Sequence, residues 1–360
     1  MTVLHYVEHW LDLSAGFVHA HVSRSRHRGV VVSHNRTENR DAFPFRPVIS
    51  LAPLSGRVPA RRWPRDRTRL LTALSAVSHA RLVHVHFGYV VGDVTDFVRR
   101  RNVPLVLSLH GSDATALPRE QPDHYAEAAR QVQAVIVPSR FLAAAASDLG
   151  FDPERIHIVP AGIDTAFFSA TAPPADPTVA FVGRLVEKKG LDVLLKAWPA
   201  VVSAVPAARL TVLGDGALAP TLPVGDPSVL HLRPEPARRA EQVRETLRAA
   251  RVIVTPSRTA GSGDAESLLL VNLEAQSSGR AVVTTEHGGI PEFVRAGESA
   301  LVVPENDPRA LAAALTAVLT DNALADRLAA AGPAVAAAYD VHACVARVDA
   351  LYVELLARPR

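Results

Sequence analysis

Short apolar runs alternate with amphipathic stretches along almost the whole chain. The runs at 134–137 (AVIV) and 300–303 (ALVV) contain only apolar residues. Strands that are buried on both faces have this composition, and intervening helices connect them as parallel neighbours. The alternation therefore predicts an α/β fold in which parallel sheets carry helices on both faces.

The alternation is interrupted once, by the Pro-rich stretch 171–177, and then starts again. A chain of 360 residues is long enough for two domains of about 150 residues each. We predict two similar α/β domains at 1–170 and 178–338, joined by a linker at 171–177. Ligands of doubly wound sheets bind beyond the carboxyl ends of the strands, so the predicted site is the cleft between the two halves. The predicted strands are 3–6, 30–33, 48–51, 82–86, 105–109, 134–137, 156–159, 179–182, 209–213, 229–232, 252–255, 281–284 and 300–303.

Composition excludes several classes of protein. No apolar run approaches the roughly 20 residues that span a bilayer, and the N-terminal residues have no signal-peptide pattern. The single cysteine, Cys344, excludes a disulfide scaffold and a cysteine-based metal site. A net charge of +3 and 5% aromatic residues disfavour nucleic-acid binding. We expect a cytoplasmic protein with at most peripheral contact to the inner membrane face. The basic segment between Arg57 and Arg69 is either a solvated loop that runs into a helix or a contact for phosphate or an anionic membrane surface.

Two glutamates are separated by seven residues: Glu266 lies in a Gly-rich loop, and Glu274 lies inside an apolar helical pattern. If the segment between them is helical, their backbones are about 12 Å apart, which is comparable to the distance from a ribose to the sugar beyond a diphosphate. A carboxylate accepts two hydroxyl groups at once, and a helix N-terminus favours a phosphate. The alternative is that Glu266 caps the helix and Glu274 is solvated.

Arg184 and Lys189 form a candidate anion site. Arg184 follows a predicted strand, and Lys189 precedes the next helix, where its charge opposes the helix dipole. A guanidinium and an ammonium at the carboxyl edge of a sheet suit a diphosphate leaving group. The alternative is ordinary surface charge, which we expect for the adjacent Lys188.

Histidines in the N-terminal half are less specific. His84 and His86 alternate on one strand and face one side, which suits a metal, but the run offers no nearby third ligand. We therefore predict no metal site, and for His86 either acceptor contact or a structural role. His110, before Gly111 and Asp113, follows a buried strand and is placed at the cleft edge, or else it satisfies a loop carbonyl.

Two glycines either contact the donor or form simple turns. They are Gly16, after the first strand, and Gly214, in a Gly-Asp-Gly turn.

Several ordered motifs resemble one family. Glu266 and Glu274 are similar to the E-x7-E signature of retaining GT-B glycosyltransferases, in particular glycosyltransferase family 4. Further similar segments occur in the family's order at 136–140 (IVPSR), 158–164 (IVPAGID), 179–185 (VAFVGRL), 187–190 (EKKG) and 281–292 (AVVTTEHGGIPE). The chain departs from many relatives at Ser267 and Leu269, which puts donor specificity in doubt. The first 80 residues match poorly.

The resemblance implies a metal-independent transfer of a sugar from a nucleoside-diphosphate sugar, UDP-linked in this reading, to an acceptor hydroxyl with retention of configuration. It implies two Rossmann-like domains facing a cleft, with a last helix at 339–360 crossing back to the N-terminal acceptor domain. By this resemblance, Glu274 binds the ribose and Glu266 binds the sugar hydroxyls. Arg184 and Lys189 stabilise the diphosphate, and His110 contacts the donor sugar at the reaction centre. Residues implied nearby are, on the donor side, Gly16, Ser267, Leu268, Leu269, Gly214, Gly288 and Gly289, and on the acceptor side, His86 and Asp113.

The acceptor stays open among a small molecule, a glycan and a glycolipid, and the oligomeric state is not predicted. Two alternative functions also stay open. One is a nucleotide-sugar 2-epimerase of the same architecture, and the other is a non-catalytic sugar-nucleotide-binding protein. A Rossmann dehydrogenase is disfavoured because no Gly-x-Gly-x-x-Gly follows the first strand.

Overall fold

This computed structural model describes residues 1–12, 15–35, 37, 39–52 and 63–357. The basic segment between Arg57 and Arg69 lies partly outside them, at 57–62. The chain divides into two compact units, which we call unit 1 (Met1–Gly162 and Val341–Arg360) and unit 2 (Ile163–Asp340). Among the described residues, no helix has both the length and the apolar composition needed to cross a bilayer.

Unit 1 contains a seven-stranded parallel sheet with the order β3-β2-β1-β4-β5-β6-β7. All residues of the central strand β1 are buried, which explains its nearly continuous apolar run. The strands are β1 Thr2–Val7, β2 Arg28–Ser33, β3 Val48–Ser50, β4 Ala80–His86, β5 Leu105–Ser108, β6 Ala134–Val137 and β7 Ile156–Ile158. The helices are α1 Gly16–Arg24, α2 Trp63–Ser78, α3 Thr95–Arg101, α4 Ser112–Thr115, α5 Leu117–Glu120, α6 Ala126–Gln131 and α7 Arg140–Asp148.

Unit 2 repeats this architecture with a six-stranded parallel sheet of order β10-β9-β8-β11-β12-β13. Its strands are β8 Thr178–Val182, β9 Arg209–Leu213, β10 Val229–Leu232, β11 Val252–Thr255, β12 Ala281–Thr285 and β13 Ala300–Val303. Its helices are α8 Leu191–Ala204, α9 Arg239–Ala249, α10 Leu270–Ser277, α11 Pro308–Thr320 and α12 Asn322–Ala336. The prediction of two parallel-sheet α/β halves is confirmed.

The last helix, α13 (Val341–Ala357), belongs to unit 1. Val348, Leu351 and Tyr352 from this helix are buried in a cluster with strand residues such as Val3 and Leu82. Burial of apolar side chains of this size contributes roughly 1.5–3 kcal/mol each. The helix is therefore an integral part of the core of unit 1.

The Pro-rich stretch predicted as a linker lies within unit 2, because the units divide at Gly162 and again at Asp340. Its carbonyls are bound by two buried arginines. Arg280 Nη1 donates to the Thr171 carbonyl at 2.7 Å, and Arg251 Nη1 donates to the Pro174 carbonyl at 3.0 Å. Proline composition indicated a break in regular structure, but these hydrogen bonds attach the segment to unit 2.

Candidate functional site

Glu266 lies in the irregular segment between β11 and α10, and only 6% of its surface is exposed. Helix α10 begins at Leu270, so the segment between Glu266 and Glu274 is helical only in its second half. The assumption of continuous helix, on which the 12 Å separation rested, is therefore wrong. The N-terminus of α10 does lie between the two glutamates in sequence, as predicted.

The Glu266 carboxylate forms an ion pair with the lysine predicted to bind phosphate. Lys189 Nζ lies 2.8 Å from Glu266 Oε1, and Lys188 Nζ lies 3.7 Å from the same oxygen. Burial opposes ionisation of Glu266, but the two ammonium groups hold its pKa below the usual range. Burial lowers the pKa of Lys189, while Glu266 opposes that shift.

Lys188 is not solvated, contrary to the prediction. It is 6% exposed and donates to Asp264 Oδ1 at 3.0 Å. The short 3-10 helix Glu187–Lys189 turns both lysines toward the Glu266 segment. Arg184, in contrast, is exposed two residues after β8, and its charge acts on Glu266 more weakly than those of the lysines.

The Gly-Gly turn after β12 packs against the backbone of Glu266. Gly288 has a φ of +52°, and a Cβ atom there would lie 2.1 Å from the Glu266 carbonyl oxygen, so only glycine fits. The Gly289 N–H donates to that carbonyl at 2.9 Å. Gly289 therefore holds the loop, whereas the Gly288 N–H has no partner among the described residues.

Of the other predicted donor-side residues of unit 2, Ser267, Leu268 and Leu269 lie in the same segment as Glu266, and Gly214 lies near the loop after β8. Ser267 and Leu269 are buried, and Leu268 is half-buried. Gly214 follows β9, where a Cβ atom would lie 2.1 Å from the Gly183 carbonyl oxygen. Gly214 thus permits close packing of the loop that follows β8 and carries Arg184.

Glu274 lies on α10 and is partly exposed. Burial raises its pKa to about 7, although the Arg239 guanidinium opposes the shift. Arg239, the first residue of α9, was not predicted as a site residue. Its sequence signal was weak, because it is one of several arginines in the same segment.

In unit 1, Asp113 organises the loop that carries His110. Its carboxylate accepts the backbone N–H groups of His110, Gly111 and Gly88 at 2.8–3.0 Å. Burial raises the pKa of Asp113 despite these hydrogen bonds. With the carboxylate bonded in this way, Asp113 fixes the position of the backbone around His110.

His110 contacts the rings of Phe17 and Phe87, with centroids 4.7 and 4.5 Å away. Burial lowers its pKa to about 3, so the imidazole is neutral. Gly16 begins α1, the helix that carries Phe17, and packs near the Phe43 ring. His110 also lines a small cavity of about 40 Å³ in unit 1, together with His21, His86, Ser108 and Cys344.

The structure supplies the third imidazole that the spacing of His84 and His86 lacked. His5, on the neighbouring strand β1, pairs in register with His84, and one ring nitrogen from each of the three histidines lies within 4.8 Å of the others. Hydrogen bonds nevertheless engage these rings: His5 Nδ1 lies 3.0 Å from His86 Nε2, and both nitrogens of His84 contact hydroxyls, of Tyr352 and Ser108. Burial lowers all three pKa values well below the usual range. The cluster is a buried, neutral hydrogen-bond network.

Comparison with known sequences gives two family matches, one for each half. The family model described as "Glycosyltransferase Family 4" matches residues 18–167, and the one described as "Glycosyl transferases group 1" matches residues 176–321. A D-inositol 3-phosphate glycosyltransferase 1 from Catenulispora acidiphila is 31% identical over 316 residues, which cover 75% of this chain and 71% of that protein. The chain belongs to glycosyltransferase family 4.

Other curated glycosyltransferases are similar over a smaller part of their length. The amylovoran biosynthesis glycosyltransferase AmsK from Erwinia amylovora is 30% identical over 247 residues, which cover 64% of this chain and 59% of AmsK. The chain spans about half to three fifths of the length of the first curated relatives that it matches.

Solved structures confirm the GT-B fold. The crystal structure of Anabaena Alr3699/HepE in complex with UDP-glucose superposes with a TM-score of 0.77 and covers 98% of this chain and 99% of that chain. Its sequence identity is 18%, so this likeness concerns the fold alone.

The raised pKa of Glu274 predicts a pH-dependent stability. The folded state binds this proton more tightly than the unfolded state, whose glutamate has the usual pKa near 4.5, so Glu274 lowers stability as pH rises from 4.5 through about 7. We expect Glu274→Gln to unfold at a higher temperature than the wild type at pH 8, and at a similar temperature at pH 4.5. Thermal unfolding across this range tests the prediction, with the exposed Glu298→Gln as control. Equal melting temperatures of Glu274→Gln and wild type at pH 8 would contradict it.

Proposed function

We propose that this chain transfers a sugar from a nucleoside-diphosphate sugar, UDP-linked, to an acceptor hydroxyl with retention of the anomeric configuration. The observation that carries the proposal is the buried Glu266 carboxylate. It is held by Lys189 and Lys188 next to the start of α10 and to the Gly288 N–H, which has no partner within the part of the chain that the structure describes. One side of this arrangement offers an acceptor for sugar hydroxyls, and the other offers positive charge for a diphosphate.

The Glu266 carboxylate and the Lys189 ammonium form an ion pair. A diphosphate is a stronger partner for Lys189 than one carboxylate, because it carries more negative charge and more acceptor oxygens. Donor binding would therefore draw Lys189 toward phosphate and leave the Glu266 carboxylate for the sugar hydroxyls. Arg184, which is exposed, would add its guanidinium to the same diphosphate.

In the proposed reaction, the bond between the anomeric carbon and the diphosphate oxygen breaks as the acceptor oxygen forms a bond on the same face. The acceptor proton passes to the departing phosphate oxygen. Lys189, Arg184 and the Gly288 N–H stabilise the charge that develops on the diphosphate, so we propose that no metal is required. Glu274 would bind the ribose hydroxyls, and the His110 imidazole would contact the sugar near the reaction centre.

The comparisons support the donor and acceptor classes. HepE is described as a complex with UDP-glucose, which supports UDP as the nucleotide. The relatives are named for D-inositol 3-phosphate and for amylovoran, so a polyol or a growing glycan is the acceptor class we propose. We assign the acceptor to unit 1, on the side of His86 and the loop that Asp113 fixes, in a cytoplasmic protein.

Hydrolysis of the donor tests this proposal without a known acceptor, because water can replace the hydroxyl. We expect UDP-glucose to raise the melting temperature more than GDP-, ADP- or dTDP-glucose does, since ligands that bind only the folded state stabilise it. We also expect slow release of UDP and of glucose. NMR should show that the glucose released first is the α-anomer. Binding without any release would indicate a non-catalytic protein, a C2-epimerised sugar would indicate an epimerase, and β-glucose as the first product would exclude retention.

A further inference from the structure

His287 connects the loop of Glu266 to a carboxylate outside the predicted site. Its side chain is fully buried. The Glu266 backbone N–H donates to His287 Nε2 at 3.0 Å, and His287 Nδ1 lies 2.7 Å from Glu305 Oε1. Three residues from separate segments thus form one chain of hydrogen bonds, which runs from the Glu305 carboxylate through the His287 ring to the backbone N–H of Glu266.

The geometry assigns the proton positions on the ring. A backbone N–H is always a donor, so Nε2 facing Glu266 must be the unprotonated nitrogen. Nδ1 is then the nitrogen that carries hydrogen and donates to Glu305, as when a carboxylate fixes the tautomer of a histidine. An Nε2–H tautomer or an imidazolium would place two hydrogens between nitrogens that are only 3.0 Å apart.

Glu305 also holds the beginning of the loop. It follows β13, and its Oε2 accepts the Thr259 N–H at 2.8 Å. Burial opposes ionisation of Glu305, but the hydrogen bonds from Thr259 and His287 hold its pKa below the usual range. One carboxylate therefore fixes Thr259 directly and Glu266 through His287.

The backbone of Glu266 depends on these contacts because no regular structure supports it. Residues 256–269 contain neither strand nor helix. His287 binds the N–H of Glu266, and Gly289 binds its carbonyl, so the turn after β12 fixes both sides of one residue. Because its N–H and its carbonyl are both bonded, the backbone from which the Glu266 side chain extends is fixed in place.

We propose that His287 is a positioning residue for Glu266 and that Glu305 supports it by fixing the Nδ1–H tautomer. This inference rests on the proposed sugar transfer for its kinetic consequence, but the tautomer itself does not depend on the reaction. Loss of the Nε2 acceptor would let Glu266 shift relative to the donor sugar. A misplacement of about 1 Å in an active site can reduce the rate about 100-fold.

Two substitutions of similar size separate the acceptor role from packing. His287→Gln keeps an oxygen near the position of Nε2, whereas His287→Leu fills the space with no acceptor. We expect kcat to fall about 100-fold in His287→Leu and less than about tenfold in His287→Gln, with the Kd of UDP nearly unchanged in both. The loss of kcat in Glu305→Ala should lie between the losses in His287→Leu and His287→Gln. His342→Gln, at an exposed histidine, is the control. Equal losses in His287→Leu and His287→Gln, or none in either, would overturn the role.

NMR of the ring nitrogens tests the tautomer of His287 even if His287→Leu fails to fold or the chain transfers no sugar. In ¹⁵N-histidine-labelled wild-type protein at pH 7.5, the signal that disappears in His287→Gln should be that of a neutral ring protonated at Nδ1. An Nε2–H tautomer or an imidazolium would refute the inference, whereas failure of sugar transfer alone would refute only the proposed function.

Discussion

Replacing Glu266 by glutamine is expected to lower the rate of sugar transfer by about 10²- to 10³-fold, while the affinity for UDP stays within about threefold. Glutamine keeps the size of the side chain and one acceptor oxygen but removes the charge. The carboxylate is proposed to contact the sugar and not the nucleotide, so its loss should reduce turnover and leave nucleotide binding. Steady-state kinetics with UDP-glucose and calorimetric titration with UDP measure the two quantities.

Glu298→Gln is the matched control, because this glutamate is exposed and pairs with Arg295 away from the loop. It should transfer sugar at the wild-type rate. Near wild-type turnover in Glu266→Gln would refute the role given to the carboxylate. A parallel loss of UDP affinity would instead place Glu266 at the nucleotide.

Replacing Lys189 by methionine is expected to reduce both turnover and stability. The ammonium is proposed to stabilise the departing diphosphate, so kcat should fall about 100-fold. The substitution also leaves Glu266 buried with only Lys188 nearby, at 3.7 Å. Removing one partner of a buried ion pair costs about 3–5 kcal/mol, and the remaining ammonium should reduce that cost to about 2 kcal/mol.

A double-mutant cycle separates these two effects. The variant Lys189→Met/Glu266→Gln removes both charges, so its free energy of unfolding in urea should recover toward the wild-type value while sugar transfer stays lost. Lys196→Met is the control for lysine replacement, because Lys196 is 68% exposed. A Lys189→Met protein as stable as the wild type would show that the ion pair contributes nothing to folding.

Most strands were predictable because burial on both faces makes them rich in apolar residues, and this pattern is local. Helices α1 and α12 have a weaker local pattern. Helix α1 carries two histidines and a serine among its nine residues, and α12 contains Gly332 and Pro333 near its end. Their helical faces are formed by packing against the rest of each unit, which the local pattern does not reveal.

The site was predictable to the extent that its residues lie in ordered motifs. Glu266, Lys189 and the Gly-Gly turn are brought together, but the burial of Lys188 was missed because adjacent lysines have the same local signal. The contacts of Glu266 with His287, and of His287 with Glu305, join residues that are distant in sequence. Such pairings are set by the order of the strands, and no spacing within one segment indicates them.

The membership of α13 in unit 1 has a consequence for biosynthesis. A ribosome makes this helix only after all of unit 2, so the half of the protein that emerges first is the last to acquire its complete core. Until then the nascent sheet exposes the apolar surface that Tyr352 and its neighbours will cover. Unit 2, encoded by one uninterrupted stretch, has no such delay, and we expect it to reach its native structure earlier during translation.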